Sequence, residues 1–372
     1  MMSDENRAAQ STTSHAETQN LPLVVGVDLG GTQLRVAVLR GAQLLSRVGL
    51  LTGEDTTPEQ IIPRIYSGIE QALDEAGIQL DQVAGIGVGA PGPLNNRTGI
   101  VFAPPNLRGW DRVPLRDIFL EHFNIPIFVE NDANAAGLGE YMFGAGRGCQ
   151  DMVYMTISTG IGGGVIADGK IMEGVSGTAA ELGHMTIDWH GERCNCGNIG
   201  CLEYIASGTA IARKANAAIA AGQGAELLDF ARSLQEHLKN PGQSGLSGHD
   251  SIGHEHDDIA GAEGPLYVNA RTVAQAAKAG VSLAQAIIAR AGEAIGVGLV
   301  NIIHIFNPEK IILGGGVTQI GPLLMDPALQ IVQERAMKVP RDAVQIVFAE
   351  LGPNVGLVGA GALIYYYTGQ GK

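Results

Sequence analysis

One short plan is written twice along this chain. Leu23 to Leu29 is a valine-rich apolar run, Gly30-Gly31-Thr32 turns it, Gln33 to Leu39 alternates, and Arg40-Gly41 turns again. Met152 to Ser158, Thr159 to Gly163, Gly164 to Ala167 and Asp168-Gly169 repeat that order at nearly equal spacing. A short, nearly continuous apolar run bounded by turn residues reads as a buried strand. Each copy is therefore expected to be a β-meander, and β/α units are expected to follow each one. Two such meanders face each other across a cleft. Each glycine turn then directs backbone N–H groups into the cleft, which suits a polyphosphate.

The elements between and after the repeats follow from periodicity. Ala42 to Val48 reads as a third strand, and Pro58 to Ala76 as a helix, with isoleucines at helical spacing and proline at its start. Val83 to Gly89 is a buried strand, Leu115 to Phe123 a helix and Ile125 to Val129 a strand. Asp132 to Phe143 is a helix with Asn131 or Asp132 at its N-cap. Val281 to Phe306 is helical. Lys310 to Leu313 is a strand running into Gly314-Gly315-Gly316, Val344 to Ala349 is the last strand and Val355 to Tyr367 the last helix. The length, 372 residues, allows two domains, and 45% hydrophobic residues supply their cores. Residues 1–21 are polar, lack the apolar region of a signal peptide, and are expected to be a disordered leader. No apolar run reaches the roughly 18 residues of a membrane helix. Residues 222–264 shift in composition, with Gly, Ser, His and Asp dominating 242–258, and are expected to form a flexible loop insertion. His249, His254 and His256 within it are read as a solvated loop in preference to a metal site.

Charge removes one class of partner. Asp and Glu number 38 against 24 Lys and Arg, a formal charge of −14, so no counterion release would drive binding to nucleic acid. Three of the four cysteines, Cys194, Cys196 and Cys201, fall within eight residues and follow His184 by ten. This is the closed ligand set of a structural zinc site. A disulfide reading leaves one cysteine over and strains the Cys-x-Cys pair. Free thiolates without a signal peptide point to a reducing cytoplasm.

Four motifs carry chemistry. Asp28-Leu29-Gly30-Gly31-Thr32 follows a buried strand: its glycines admit an anion, Thr32 adds a hydroxyl and Asp28 suits a hydrated Mg²⁺, although a plain β-turn has the same residues. No lysine follows, so it is not a Walker loop, and a strand rather than a helix comes next, so it is not a dinucleotide fingerprint. Ser158 to Gly164 repeats the pattern and favours phosphate. Asn131-Asp132 stands at a strand–helix junction, where an Asp serves either as a helix cap or as a general base toward a hydroxyl. Asn106, in a proline-rich loop with Trp110, can both donate to and accept from a sugar hydroxyl. Glu181 and Glu203 bracket the cysteine knot. If one ring nitrogen of His184 binds zinc, the other carries a proton toward a ligand.

Together these residues resemble the ROK family of bacterial sugar kinases and related repressors. The resemblance rests on Asp28 to Thr32, Gly89 to Pro93, Asn106 with Gly109-Trp110, Glu130 to Asn134, Ser158 to Gly164, Glu181 to His184, Cys194 to Glu203 and Leu313 to Gly316, from about Leu23 to the C-terminus. Within the family the chain looks most like the ATP-dependent glucokinases. The resemblance implies an α/β, actin-like (RNase H-like) two-domain ATPase fold with a duplicated βββαβα core and an interdomain cleft. The domains would be 22–133 plus 355–372, and 134–354 with a zinc knot at 184–201. Asp132 would take the proton of the sugar 6-hydroxyl. Asn106, Asn131, Glu181, His184 and Glu203 would contact the hexose. Asp28, Gly30, Gly31, Thr32, Thr159 and Gly160 would face the phosphates, and Gly314 and Gly315 the adenosine. His184, Cys194, Cys196 and Cys201 would hold zinc. ATP with Mg²⁺ is the implied donor, glucose the first expected hexose, and N-acetylmannosamine or fructose the alternatives. A homodimer or tetramer is expected. A sugar-binding regulator of the same family is the competing reading. The repressors carry an N-terminal winged helix, and about twenty polar residues before the first strand are too few for one.

Overall fold

The computed structural model of the chain describes residues 20–239 and 267–370. The expected leader, apart from its last two residues, and His249, His254 and His256 lie outside the described residues.

The duplication is present in the sheets. The first contains β1 (Leu23–Leu29), β2 (Gln33–Arg40), β3 (Gln43–Leu44), β4 (Val48–Leu51), β5 (Val83–Ala90) and β9 (Ile127–Asn131). Its order is β3-β2-β1-β5-β9, with β4 also on β2. The second contains β10 (Met152–Ile157), β11 (Ile161–Ala167), β12 (Lys170–Ile171), β13 (Lys310–Gly314) and β14 (Gln345–Phe348), in the order β12-β11-β10-β13-β14. In both, an antiparallel hairpin continues into parallel strands. β6 (Leu94–Asn95), β7 (Ile100–Val101) and β8 (Val113–Pro114) form a small third sheet.

Helices α1 (Pro58–Ala76) and α2 (Leu115–Phe123) join the core of the first sheet, burying Ile61, Ile65, Ile69 and Phe119. The second sheet is backed by α8 (Ser282–Phe306), which buries Ile288, Ile295, Leu299 and Ile302. By length and apolarity α8 would pass for a membrane span; most of it is buried in this core, which accounts for its composition. Around it lie α4 (Leu202–Ala206), α5 (Gly208–Ala220), α6 (Ala225–Lys239), α7 (Ala270–Lys278), α9 (Pro322–Arg335) and α10 (Lys338–Ala343).

Two helices connect the halves. α3 (Asp132–Phe143) leaves β9 and packs against β10, β11 and α11 (Val355–Thr368), while α11 packs on β1 and β5. α11 is buried on nearly every side, so it lacks an amphipathic pattern. The α3–α11 approach depends on Gly359: a Cβ there would stand 2.2 Å from the carbonyl oxygen of Ala135. Glu140 of α3 is fully buried, and its carboxylate accepts from the backbone N–H groups of Ala145 (2.8 Å), Leu351 (2.9 Å) and Glu350 (3.2 Å). It thereby ties α3 to the chain entering α11.

Three sequence expectations need correction. The third strand, Ala42 to Val48, is split into β3 and β4, because Ser46 turns its hydroxyl to the carbonyl of Ala72 and accepts from Val38 N–H. β11 begins at Ile161 rather than Gly164: Gly162 and Gly163 pair with Thr156 and Met155. They are glycines because Ala133 and Leu182 crowd the space their side chains would need. The supposed loop insertion 222–264 opens with helix α6, whose Leu227 and Ala231, four residues apart on one face, are buried.

Candidate active site

Parallel strands deliver the site to one edge. Asp28 on β1 aligns with Gly89 on β5, and Gly89 with Glu130 on β9, so the chain leaves β1 and β9 at the same edge of the sheet, with only β5 between them. Asn131 is the cap of α3: its Oδ1 accepts from Ala133 N–H (3.0 Å) and Asn134 N–H (3.2 Å). With the oxygen engaged, the amide NH₂ is left as a donor for a ligand. Asp132 is therefore not the cap. It opens the first helical turn, and one carboxylate oxygen accepts from Ala133 N–H at 2.8 Å.

The Asp132 side chain is solvent-exposed, yet protein crowds around its carboxyl. This enclosure, with the charges of Asp28 and then Glu181 nearby, pushes its pKa up to about 7. Burial likewise raises Glu181; His184 opposes the shift and Glu203 adds to it. Four of the expected sugar and proton-transfer residues, Asp132, Glu181, His184 and Glu203, thus share one electrostatic neighbourhood with Asp28.

The two glycine turns flank this group. In the first, Gly30 N–H donates to the carbonyl of Gln33 (2.8 Å) and the Thr52 hydroxyl to that of Gly30 (2.9 Å). Thr32 at its tip is exposed. A Cβ on Gly31 would lie 2.9 Å from Cβ of Asn106, so the Asn106 loop touches this turn. That loop is anchored by Trp110, whose indole is buried and donates to the Thr56 carbonyl at 2.7 Å, while Asn106 is exposed. The second turn is tied to α5 by Gly208 N–H on the Ser158 carbonyl (2.8 Å) and the Thr209 hydroxyl on the Thr159 carbonyl (2.9 Å). Glu203 stands at its foot: its Oε2 accepts from Ile161 N–H (2.8 Å) and would lie 2.6 Å from a Cβ on Gly160. Gly314 aligns with Thr156, which brings Gly314-Gly315 beside the second turn. Gly315 has a φ of 88°, and a Cβ there would lie 2.3 Å from the Ile157 carbonyl oxygen, so only glycine fits.

His184, Cys194, Cys196 and Cys201 converge with all ligand atoms within 4.8 Å of one another. Cys196 and Cys201 sulfurs are 3.7 Å apart, and Cys194 Sγ is 3.9 Å from His184 Nδ1. Zn–S bonds of about 2.3 Å in a tetrahedron place sulfurs about 3.8 Å apart, so the residues fit zinc. Burial and the neighbouring Cys196 and Cys194 hold the Cys201 thiol up, a crowding that a bound cation would relieve. With Nδ1 turned to the thiols, Nε2 of His184 is the nitrogen available to a ligand.

The sequence matches the ROK family over residues 24–366. The chain belongs to the ROK family. It is 34% identical to a glucokinase of Halalkalibacterium halodurans over 91% of this chain and 94% of that protein. It is 28% identical to a xylose repressor of Caldicellulosiruptor bescii over 92% of this chain and 77% of the repressor. Among solved structures, a ROK family glucokinase from Streptomyces griseus in complex with glucose and AMPPNP superposes with a TM-score of 0.72 at 31% identity, covering 92% and 98% of the two chains. The fold is the actin-like ATPase fold of the ROK kinases.

Two further residues of this ROK protein, to which the motifs assign no role, stand at the site. Arg35 pairs with Asp28 at 2.5 Å and donates to the Pro353 carbonyl at 2.9 Å. The signal was present, since an arginine on a strand that otherwise buries its core face lies across from Asp28 in the β1–β2 register. Glu130 is fully buried beside Asn131, and its partners Asn96 and Tyr367 are too distant in sequence for any spacing rule to reach.

Proposed function

We propose that this chain is an ATP-dependent sugar kinase that phosphorylates glucose at the 6-hydroxyl, with Asp132 as general base. The observation that carries the reading is Asp132 itself: an uncapped carboxylate between two glycine turns, with its proton affinity raised to about neutrality. A base poised near working pH takes a hydroxyl proton efficiently. Asn106, the Asn131 amide, Glu181, His184 Nε2 and Glu203 orient the hexose so that one hydroxyl meets Asp132. Gly31, Thr32, Thr159 and Gly160 receive the phosphates on backbone N–H groups, Gly30 shapes the first turn through its bond to Gln33 and lets the phosphates approach, and Gly314 and Gly315 admit the adenosine. Mg²⁺ would be held near Asp28 through water and would neutralise developing phosphate charge. Phosphoryl transfer needs little beyond alignment and charge balance, and this site supplies both.

Residues 22–133 with 355–372 form one domain in this reading and 134–354 the other, and their approach excludes water during transfer. The zinc knot holds His184 and, through α4, Glu203. The glucokinase relatives favour glucose, and the xylose repressor keeps a sugar-binding regulator as the second reading. ADP release from MgATP across glucose, fructose, mannose and N-acetylmannosamine tests the proposal. Glucose-dependent release, with product phosphorylated at the 6-hydroxyl by NMR, is the expected result. Turnover with another hexose would change the substrate, and sugar binding without turnover would replace the kinase by the regulator.

A further inference from the structure

We infer that Glu130 is a positioning residue for proton transfer, and that Asn96, Tyr367 and Glu173 extend it into a relay joining the turn that carries Asp132 to the loop that carries Glu181. The inference rests on the kinase reading above. Glu130 ends β9 with no solvent exposure. Its Oε1 accepts from the N–H of Asn131 (2.8 Å) and the side-chain NH₂ of Asn134 (3.2 Å), so both sides of Asp132 are fixed by one carboxylate oxygen. Its Oε2 accepts from the NH₂ of Asn96 at 2.9 Å, with the Tyr367 hydroxyl at 3.5 Å.

Tyr367 carries the connection onward. Its hydroxyl donates to Glu173 Oε1 at 2.9 Å, and its oxygen faces the NH₂ of Asn96 at 3.4 Å. Glu173 follows β12 and begins the segment that ends at Glu181. Arg97, next to Asn96, holds the same segment: its Nε lies 3.3 Å from Glu173 Oε2 and its Nη2 donates to the Gly174 carbonyl at 2.9 Å. The loops 94–98 and 173–177 are in contact, since a Cβ on Gly177 would lie 2.8 Å from Asn96 Oδ1. Glu130, Asn96 and Tyr367 thus tie the turn that carries the base to the start of the segment that leads to Glu181. The Glu130 oxygens face N–H donors, so a glutamine would turn its NH₂ against a donor. None of these residues needs to touch the hexose; displacing the base by a fraction of an ångström is enough to slow transfer.

The test compares wild type, Glu130→Gln, Tyr367→Phe and Tyr66→Phe for kcat, glucose KM, glucose Kd by calorimetry and melting temperature. Tyr367→Phe removes only the hydroxyl; the ring stays stacked on Phe128 at 4.9 Å. Tyr66→Phe removes a distant hydroxyl, which donates to the Ile118 carbonyl at 3.4 Å, and is the control. Glu130→Gln and Tyr367→Phe are expected to lower kcat about tenfold while glucose Kd stays within about threefold, with Tyr66→Phe at the wild-type rate. If Glu130→Gln does not fold, Tyr367→Phe decides alone. Wild-type kcat in Tyr367→Phe, or a loss of kcat matched by an equal loss of glucose binding, overturns the relay and leaves the kinase intact. A wild-type protein that turns over no hexose overturns both.

Discussion

At the scale of single residues, the Asp132 carboxyl holds its proton to a higher pH than an ordinary aspartate. The Asp132 pKa of about 7 arises from enclosure by protein and from the charges of Asp28 and Glu181. As a base it works only when ionised, so kcat/KM for glucose is expected to rise with pH and level off above about 7; a rate flat from pH 5.5 to 8.5 would remove Asp132 from the role. The same shift has a stability consequence. The unfolded chain releases this proton in the ordinary carboxylate range, and the folded chain holds it until about pH 7. The stabilising contribution is therefore complete at low pH and lost as the pH rises through about 7. Asp132→Asn is expected to melt higher than wild type at pH 8 and to match it more closely at pH 5, as thermal scans would show. Asp132 and Asn131 were legible in the sequence because they adjoin a strand–helix junction. The choice of cap was not, since both residues can cap a helix and only the hydrogen bonds from Ala133 and Asn134 assign Asn131.

At the scale of elements, the cysteine knot and the Asn106 loop position the residues proposed to face the sugar. Elemental analysis is expected to find one zinc per chain in the wild type and well under one in Cys196→Ser, which leaves three of the four candidate ligands. Structural zinc contributes on the order of 10 kcal/mol in small domains, so chelation is expected to lower the melting temperature and release Glu203 from the second glycine turn. An unchanged melting curve after chelation would contradict this. Trp110→Phe removes the indole bond to Thr56, worth about 1 kcal/mol, and is expected to raise glucose KM more than it lowers kcat. The knot was legible because its ligands cluster in sequence. Helix α6 was masked by the glycine-rich, periodicity-free stretch that follows it, even though Leu227 and Ala231 carry helical spacing.

At the scale of the whole molecule, the repeat read from two glycine turns is the architecture: each sheet is a hairpin continued by parallel strands. What the repeat did not disclose is how its copies meet. That depends on α11 crossing α3 at Gly359, on Glu140 holding the approach to α11, and on Arg97 reaching Gly174, contacts between residues far apart in the chain. Gly359→Val is expected to push into the Ala135 carbonyl and cost about 1–3 kcal/mol or more, visible as a lower denaturation midpoint. In the proposed reaction this cleft brings a hexose hydroxyl to Asp132. The most direct measurement is a rapid-quench single turnover with saturating glucose and MgATP, comparing wild type with Asp132→Asn. Wild type is expected to give a burst of glucose 6-phosphate, and Asp132→Asn to bind glucose still but to transfer about 10²–10⁴-fold more slowly. Transfer at the wild-type rate in that variant would contradict the proposed reaction.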